Sequence, residues 1–149
     1  MRVAIGCDHA GFELKQEIIR LLKSLGHEPQ DVGAHDTQPS DYPDYVKDVA
    51  EAVRTKKSDM GIFICGTGIG PTMAANKIKG IRAALCHDTF SAHSSREHND
   101  ANVLCLGARV IGFGLAGDIV KTWLSAPFTG EERHSRRIAK LMALEQKDV

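Results

Sequence analysis

The segment Met60–Cys65 reads M-G-I-F-I-C, and the glycine-rich stretch G-T-G-I-G follows it without a spacer. Six consecutive apolar residues leave no polar face, so a strand here is buried on both sides. A sheet covered on both faces carries helices on both, the architecture of chains that alternate strand and helix. The rest of the sequence alternates in that way. Arg2–Gly6 is a short apolar run, and Leu14, Ile18, Leu21, Leu22 and Leu25 then recur at helical spacings up to a capping Gly26. Residues 28–32 predict a weak, peripheral strand, and 33–40 a polar loop. Pro43 suits a first helical turn, with Tyr45, Val46, Val49, Ala50 and Val53 as its apolar face. Pro71–Lys77 predicts a helix, Ile81–Cys86 a strand, Thr89–Arg96 a short helix and Val103–Leu106 a fifth strand. Ile111, Leu115, Ile119, Val120 and Trp123 mark another helix, and Ile138, Leu141 and Met142 a C-terminal one. The expectation is an α/β chain with a five-stranded parallel sheet, forming one domain over residues 1–149.

Composition narrows the function classes. Lys and Arg total 19 and Asp and Glu total 19, so no net charge favours nucleic acid or an anionic membrane. No apolar run approaches the ~20 residues of a membrane span, and M-R-V-A-I-G turns polar too soon for a signal peptide. The expected location is the cytoplasm. Cys7, Cys65, Cys86 and Cys105 form no C-x-x-C pair, and in a reducing compartment they are expected as free thiols.

In parallel sheets of this kind, ligands sit beyond the carboxyl ends of the strands. Those ends carry Cys7-Asp8-His9, Cys65 with its glycine loop, Cys86-His87-Asp88 and the turn to Arg109. A strand that turns through glycines into a helix gathers backbone N–H groups at one spot, a site for phosphate or a developing oxyanion. The spacing G-x-G-x-G differs from the dinucleotide pattern G-x-G-x-x-G. Likewise Gly6 to Gly11 lacks the Lys and Ser/Thr of a P-loop. A thiol at such a helix start is a candidate nucleophile or base, which singles out Cys65. Asp8 suits helix capping, and His9 the ligand. Residues 95–102 (S-R-E-H-N-D-A-N) are dense in polar groups, with His98 a candidate acid or base near neutral pH. A metal site from His87, Asp88, His93 and His98 is disfavoured, because the five-residue step from His93 to His98 does not align both on one helix face. Arg133, His134, Arg136 and Arg137 crowd a helix start against its dipole, which suggests a bound anion such as a phosphomonoester.

These segments together resemble a known family. G-C-D-H-A-G-F-E-L-K (6–15), S-D-Y-P-D-Y (40–45), I-C-G-T-G-I-G (64–70), A-A-N-K (74–77), G-I-R-A-A-L-C (80–86), S-R-E-H-N-D-A-N-V-L (95–104) and R-H-S-R-R (133–137) are similar to the type B ribose-5-phosphate isomerases, in order and over nearly the whole chain. The resemblance implies a Rossmann-like three-layer α/β/α sandwich without metal or organic cofactor. The implied reaction is reversible isomerisation of ribose 5-phosphate to ribulose 5-phosphate, a step of the pentose phosphate pathway. Cys65 then matches the base that moves a proton between C2 and C1 through a cis-enediolate. The amides of Gly66, Thr67, Gly68, Ile69 and Gly70 match the holder of the enediolate oxygen, with Thr67 orienting the reacting end. His98 matches the acid/base of ring opening, Asp8, Tyr42 and Asn99 the sugar contacts, and His9, Arg109, Arg133 and Arg137 the phosphate ligands. Pro71-Thr72-Met73 departs from the family's usual Ile/Met-Ser-Ile, though Thr72 keeps the hydroxyl.

The H-N-D pattern at 98–100 favours the pentose enzyme over the related galactose-6-phosphate isomerase subunits. Six-carbon substrates such as allose 6-phosphate remain an alternative, as does a non-catalytic phosphometabolite-binding module on the same fold. The family also implies a homodimer or tetramer with active sites shared across the dimer interface. The division expected from sequence gives Asp8, His9, Cys65, Arg133 and Arg137 to one protomer, and His98, Asn99 and Arg109 to the other.

Overall fold

A computed structural model describes residues 1–146. Five parallel strands, β1 (Arg2–Cys7), β2 (Glu28–Asp31), β3 (Met60–Cys65), β4 (Ala83–Leu85) and β5 (Val103–Gly107), lie in the order β2-β1-β3-β5-β4. They alternate with helices α1 (Phe12–Ser24), α2 (Tyr42–Arg54), α3 (Ile69–Ala75), α4 (Thr89–Glu97) and α5 (Phe113–Ser125), and α6 (Glu132–Ala143) follows α5.

The period of two along each strand divides the core. Val3, Ile5, Ile62, Ile64, Leu104 and Leu106 face Leu14, Ile18 and Leu22 of α1 and Ile119 and Trp123 of α5. Ala4, Phe63, Cys65, Val103 and Cys105 face Val46, Val49, Ala50 and Val53 of α2. The helix positions are those the sequence periodicity marks. Each fully buried leucine or isoleucine among them contributes about 1.5–3 kcal/mol. Both ends of the sheet are less covered, and β4, expected over Ile81–Cys86, is only Ala83–Leu85 and half-buried at the edge. Ile81 instead closes a turn, its amide donating to Ile78 O at 3.1 Å. The helix expected from Pro71 starts two residues earlier, at Ile69, so Pro71 occupies its first turn.

Strand direction gives the sheet two functional edges. The switch point lies between β1 and β3, which end side by side at Cys7 and Cys65, and the amide of Asp8 donates to Ile64 O at 3.2 Å. Gly11 follows so close to β3 that a Cβ would lie 2.2 Å from Ile64 O.

Lys15 is fully buried on α1, the side facing the loop after β2. Its Nζ pairs with Asp31 Oδ1 at 2.7 Å and donates to Ala34 O at 2.6 Å and Gly33 O at 3.4 Å. It thereby ties the loop carrying Ser40 and Tyr42 to the core. Lys15→Met keeps the volume but removes the cation paired with Asp31 and the 2.6 Å donor to Ala34 O, leaving Asp31 Oδ1 only the Gly33 amide at 3.2 Å and Ala34 O only the Cys7 thiol at 3.7 Å. The expected loss is about 2–3 kcal/mol, read as a lower denaturant midpoint at unchanged slope. An unchanged midpoint would show that the buried cation contributes nothing.

Candidate active site

At the carboxyl edge, β3 delivers Cys65 into the glycine loop. The Gly68 amide donates to Cys65 Sγ at 3.0 Å, so the loop folds back over the sulfur. Gly68 makes this possible with φ +76°, and a Cβ there would lie 2.4 Å from Leu85 Cδ1 and 3.0 Å from the Leu106 backbone. Thr67 is exposed, and its Oγ1 accepts the Ile69 amide at 3.3 Å, which shapes the turn into α3. Thr72 Oγ1 donates back to Gly68 O at 2.7 Å, retaining the hydroxyl contact despite the Pro71-Thr72-Met73 variation. In the first turn of α3 the Ile69 amide is taken by Thr67 Oγ1, Pro71 has no N–H and the Thr72 amide donates to Gly68 O at 3.2 Å, which leaves the Gly70 amide without an intrahelical acceptor.

Around this loop the structure gathers Asp8, His9, Tyr42 and Arg109. Asp8 is buried, and its Oδ1 accepts the Ala10 and Gly11 amides at 2.9 and 3.2 Å. Capping therefore uses one carboxylate oxygen and leaves Oδ2 for a ligand. His9 and Ser40 bond reciprocally: the His9 amide donates to Ser40 Oγ at 3.2 Å, and the Ser40 amide donates to His9 Nδ1 at 3.3 Å. With Nδ1 as acceptor, the neutral ring carries its proton on Nε2, ready to donate to an anion. Tyr42 lies against Gly70, where a Cβ would sit 2.5 Å from its Cζ. Arg109 is exposed beside Gly66. Its amide donates to Gly66 O at 3.0 Å, and its Nη1 is 3.3 Å from where a Gly66 Cβ would be.

The second group lies at the opposite edge. His98 caps the C-terminus of α4, and the chain then enters β5 at Val103, whose partner is Gly61. Four residues along β5, Gly107 faces Cys65, so strand length alone separates the two edges by roughly 13 Å. His98 stacks on His134 of α6, with ring centroids 4.4 Å apart and planes 13° from parallel. Its Nε2 is 3.2 Å from Glu97 Oε2, and His93 Nε2 is 3.3 Å from the same oxygen. His134 is buried; desolvation first, then His98 and Arg133, hold its imidazole below the usual histidine range, in the neutral form. Arg133 pairs with Glu131 at 2.8 Å and Arg136 with Glu132 at 2.6 Å. Arg137 has no ion partner among the described residues. Asn99 is exposed and lines a cavity of about 560 Å³ with Arg82, Ala84 and Met142; the Cys65 loop does not line it.

Within one chain the grouping differs from the division expected from sequence: Arg109 lies beside the Cys65 loop, and Arg133 and Arg137 lie on α6 with His134, which stacks on His98. The cause is β5 itself, which carries the chain from one edge to the other between residues 98 and 109. His87, Asp88, His93 and His98 do not gather either: Asp88 and His98 cap opposite ends of α4, roughly 15 Å apart. Sequence reading missed Ser40 as the partner of His9, and Glu97 and His134 as the neighbours of His98. His134 did carry a signal, since it precedes Ile138 and Leu141 by four and seven residues on one helix face.

Burial pushes the thiols of Cys7 and Cys86 up to about 11, and that of Cys105 up to about 12. Thiolates alkylate and thiols do not, so these three stay protonated and unreactive until pH nears those values. Iodoacetamide at pH 8 is expected to leave Cys7, Cys86 and Cys105 unlabelled in the folded protein, and mass spectrometry locates any adduct. Labelling of Cys7, Cys86 or Cys105 would contradict the buried environment described.

Known proteins resemble the chain over most of its length. Residues 3–141 match the family described as Ribose/Galactose Isomerase. The ribose-5-phosphate isomerase B of Escherichia coli is 48% identical over 98% of this chain and 97% of its own length. A structure of Clostridium thermocellum ribose-5-phosphate isomerase B is 52% identical, with a TM-score of 0.96 over 98% of both chains. A D-erythrulose-4-phosphate isomerase from Pectobacterium atrosepticum is 45% identical over 87% of this chain and 86% of its own.

Proposed function

The chain belongs to the ribose/galactose isomerase family, and we propose on that premise that it interconverts ribose 5-phosphate and ribulose 5-phosphate. The observation that carries the chemistry is the Gly68 amide aimed at the Cys65 sulfur inside the glycine loop. His98 moves the protons that open the furanose. Cys65, as the thiolate, takes the proton from C2 and returns it to C1; the negative charge passes meanwhile to a cis-enediolate oxygen, and the hydroxyl proton of C2 moves to the C1 oxygen, so that the carbonyl is lost at C1 and gained at C2. The loop amides from Gly66 to Gly70 hold that oxygen, where preorganised donors contribute most to the rate. Thr67 orients the reacting end, while Asp8, Tyr42 and Asn99 contact the sugar. His9 and Arg109 from the loop's edge, with Arg133 and Arg137 from the other, hold the phosphate.

Two groups at opposite edges of one sheet meet only if a second copy brings its amino edge to the first copy's carboxyl edge. We propose a homodimer with two such shared sites. Two observations support it. Ile69, Met73, Phe90, Val110 and Phe113 are 49–80% exposed on elements that start at the carboxyl edge. In α6 only His134 is buried, and Leu141 stays exposed. Among the described residues no helix is long and apolar enough to cross a membrane, and the proposed location is the cytoplasm.

The test is turnover of ribose 5-phosphate to the ketose, run beside allose 6-phosphate, galactose 6-phosphate and D-erythrulose 4-phosphate. The pentose phosphate is expected to give the highest kcat/KM. The Pectobacterium relative keeps the four-carbon ketose phosphate as a second reading, and preference for it would replace the pentose assignment.

A further inference from the structure

Beside His98, one residue used in none of the roles above gathers an unusual number of contacts. Asp100 has φ +45°, in the left-handed region that non-glycine residues seldom adopt. Arg82 Nη2 donates to its carbonyl oxygen at 2.8 Å and to its Oδ2 at 3.1 Å. Arg82 Nε spans the turn, donating to Asn99 O at 3.0 Å and Asp100 O at 3.1 Å. From the other side, Arg96 Nη1 donates to Asp100 Oδ1 and to Ala101 O, both at 2.7 Å. The two guanidinium side chains are only 17% and 14% exposed, and Arg96 also lies 5.8 Å over the Trp123 ring. Two largely buried cations thus share one carboxylate, each on its own oxygen. Strained backbone held by surrounding structure marks sites where geometry matters.

What this arrangement fixes is the turn that carries His98 and Asn99. The backbone of His98 is tied by one bond, its amide to Ser94 O at 2.9 Å. Its side chain has Glu97 and His134 as neighbours and is 40% exposed. Without Asp100 the turn two residues on relaxes from the left-handed conformation, and both arginines lose their shared anion. We propose that Asp100, clamped by Arg82 and Arg96, is a positioning residue that sets the orientation in which His98 meets the sugar ring. This rests on the ring-opening role proposed for His98.

The test is a double-mutant cycle of Asp100→Ala and His98→Asn. It is read on ribose 5-phosphate, which is mainly ring-closed, and in reverse on open-chain ribulose 5-phosphate. Asp100→Ala alone is expected to lower kcat on ribose 5-phosphate by about 10–100-fold, the scale of a displaced catalytic group, with less than about threefold loss on ribulose 5-phosphate. In the His98→Asn background it should add less than about twofold, because both changes remove one function. Asp100→Asn, which tolerates the left-handed turn and keeps an acceptor, should restore most of the loss. If Asp100→Ala does not fold, Asp100→Gly takes its place in the cycle, since glycine holds the positive φ without strain. Equal losses on both substrates, or the full loss added on top of His98→Asn, would overturn the role of Asp100 while leaving His98 in place. Full turnover by His98→Asn itself would overturn the ring-opening assignment, and Asp100 with it.

Discussion

Replacing Cys65 by alanine is expected to lower kcat by about 10²–10⁴-fold while KM changes little, the usual scale for a positioned general base. The reaction removes a proton from carbon, so a base must stand beside the group that stabilises the resulting oxyanion. Cys65 ends β3 directly before the glycine loop, and the Gly68 amide donates to its sulfur. The other three thiols are ill-suited: burial raises each well above the usual cysteine range, and none adjoins the loop's amides. Cys7→Ala and Cys86→Ala are therefore expected to act as packing changes, lowering stability with kcat largely retained. Steady-state kinetics of the three variants separates these outcomes. Near-wild-type turnover by Cys65→Ala would remove the base from the mechanism.

His98→Asn is expected to act on a different step. Ribose 5-phosphate enters mainly as a closed ring, whereas ribulose 5-phosphate is supplied open. If His98 moves the protons of ring opening, the variant loses about 10²-fold on the aldose and far less on the ketose. Asparagine preserves much of the shape while removing the titrating group. Stacking on the neutral His134, at 4.4 Å, places the ring against an uncharged neighbour, with Glu97 Oε2 at 3.2 Å as the nearest carboxylate. Equal losses in the two directions would assign His98 to the proton transfer between carbons, or to binding, instead of ring opening.

The fold was largely legible because its signals are local. The apolar run at 60–65 requires cover on both faces, and the leucines of α1 and valines of α2 recur at the spacing of one helical stripe. Local signals were weakest where cover is thin. Ile81–Cys86 has the composition of a strand, but at the sheet's edge only Ala83–Leu85 pairs with β5. The turn from β3 through the glycines into α3 was legible because glycine, thiol and strand end coincide in seven residues. Contacts between distant segments were not: His9 with Ser40 spans 31 positions, and Arg82 with Asp100 spans 18. The placement of Arg109, Arg133 and Arg137 within the chain was not legible for a further reason. Residue spacing says what lies near in the chain, whereas the edge a residue occupies depends on how many strands have been traversed. Since β5 lies between His98 and Arg109, the topology already contained the answer.

The two-edge arrangement leads to one decisive measurement. On the proposed division, Cys65 comes from one copy and His98 from the other, so each inactive variant still carries the half-site its partner lacks. Cys65→Ala and His98→Asn proteins are mixed in equal amounts under conditions that let subunits exchange, with exchange verified by mass. In a mixed dimer, one site holds both substitutions and the other neither. Half the dimers are then mixed, and recovery of about a quarter of wild-type activity on ribose 5-phosphate is expected. Exchange without recovery of activity would contradict a site assembled from opposite edges of two copies.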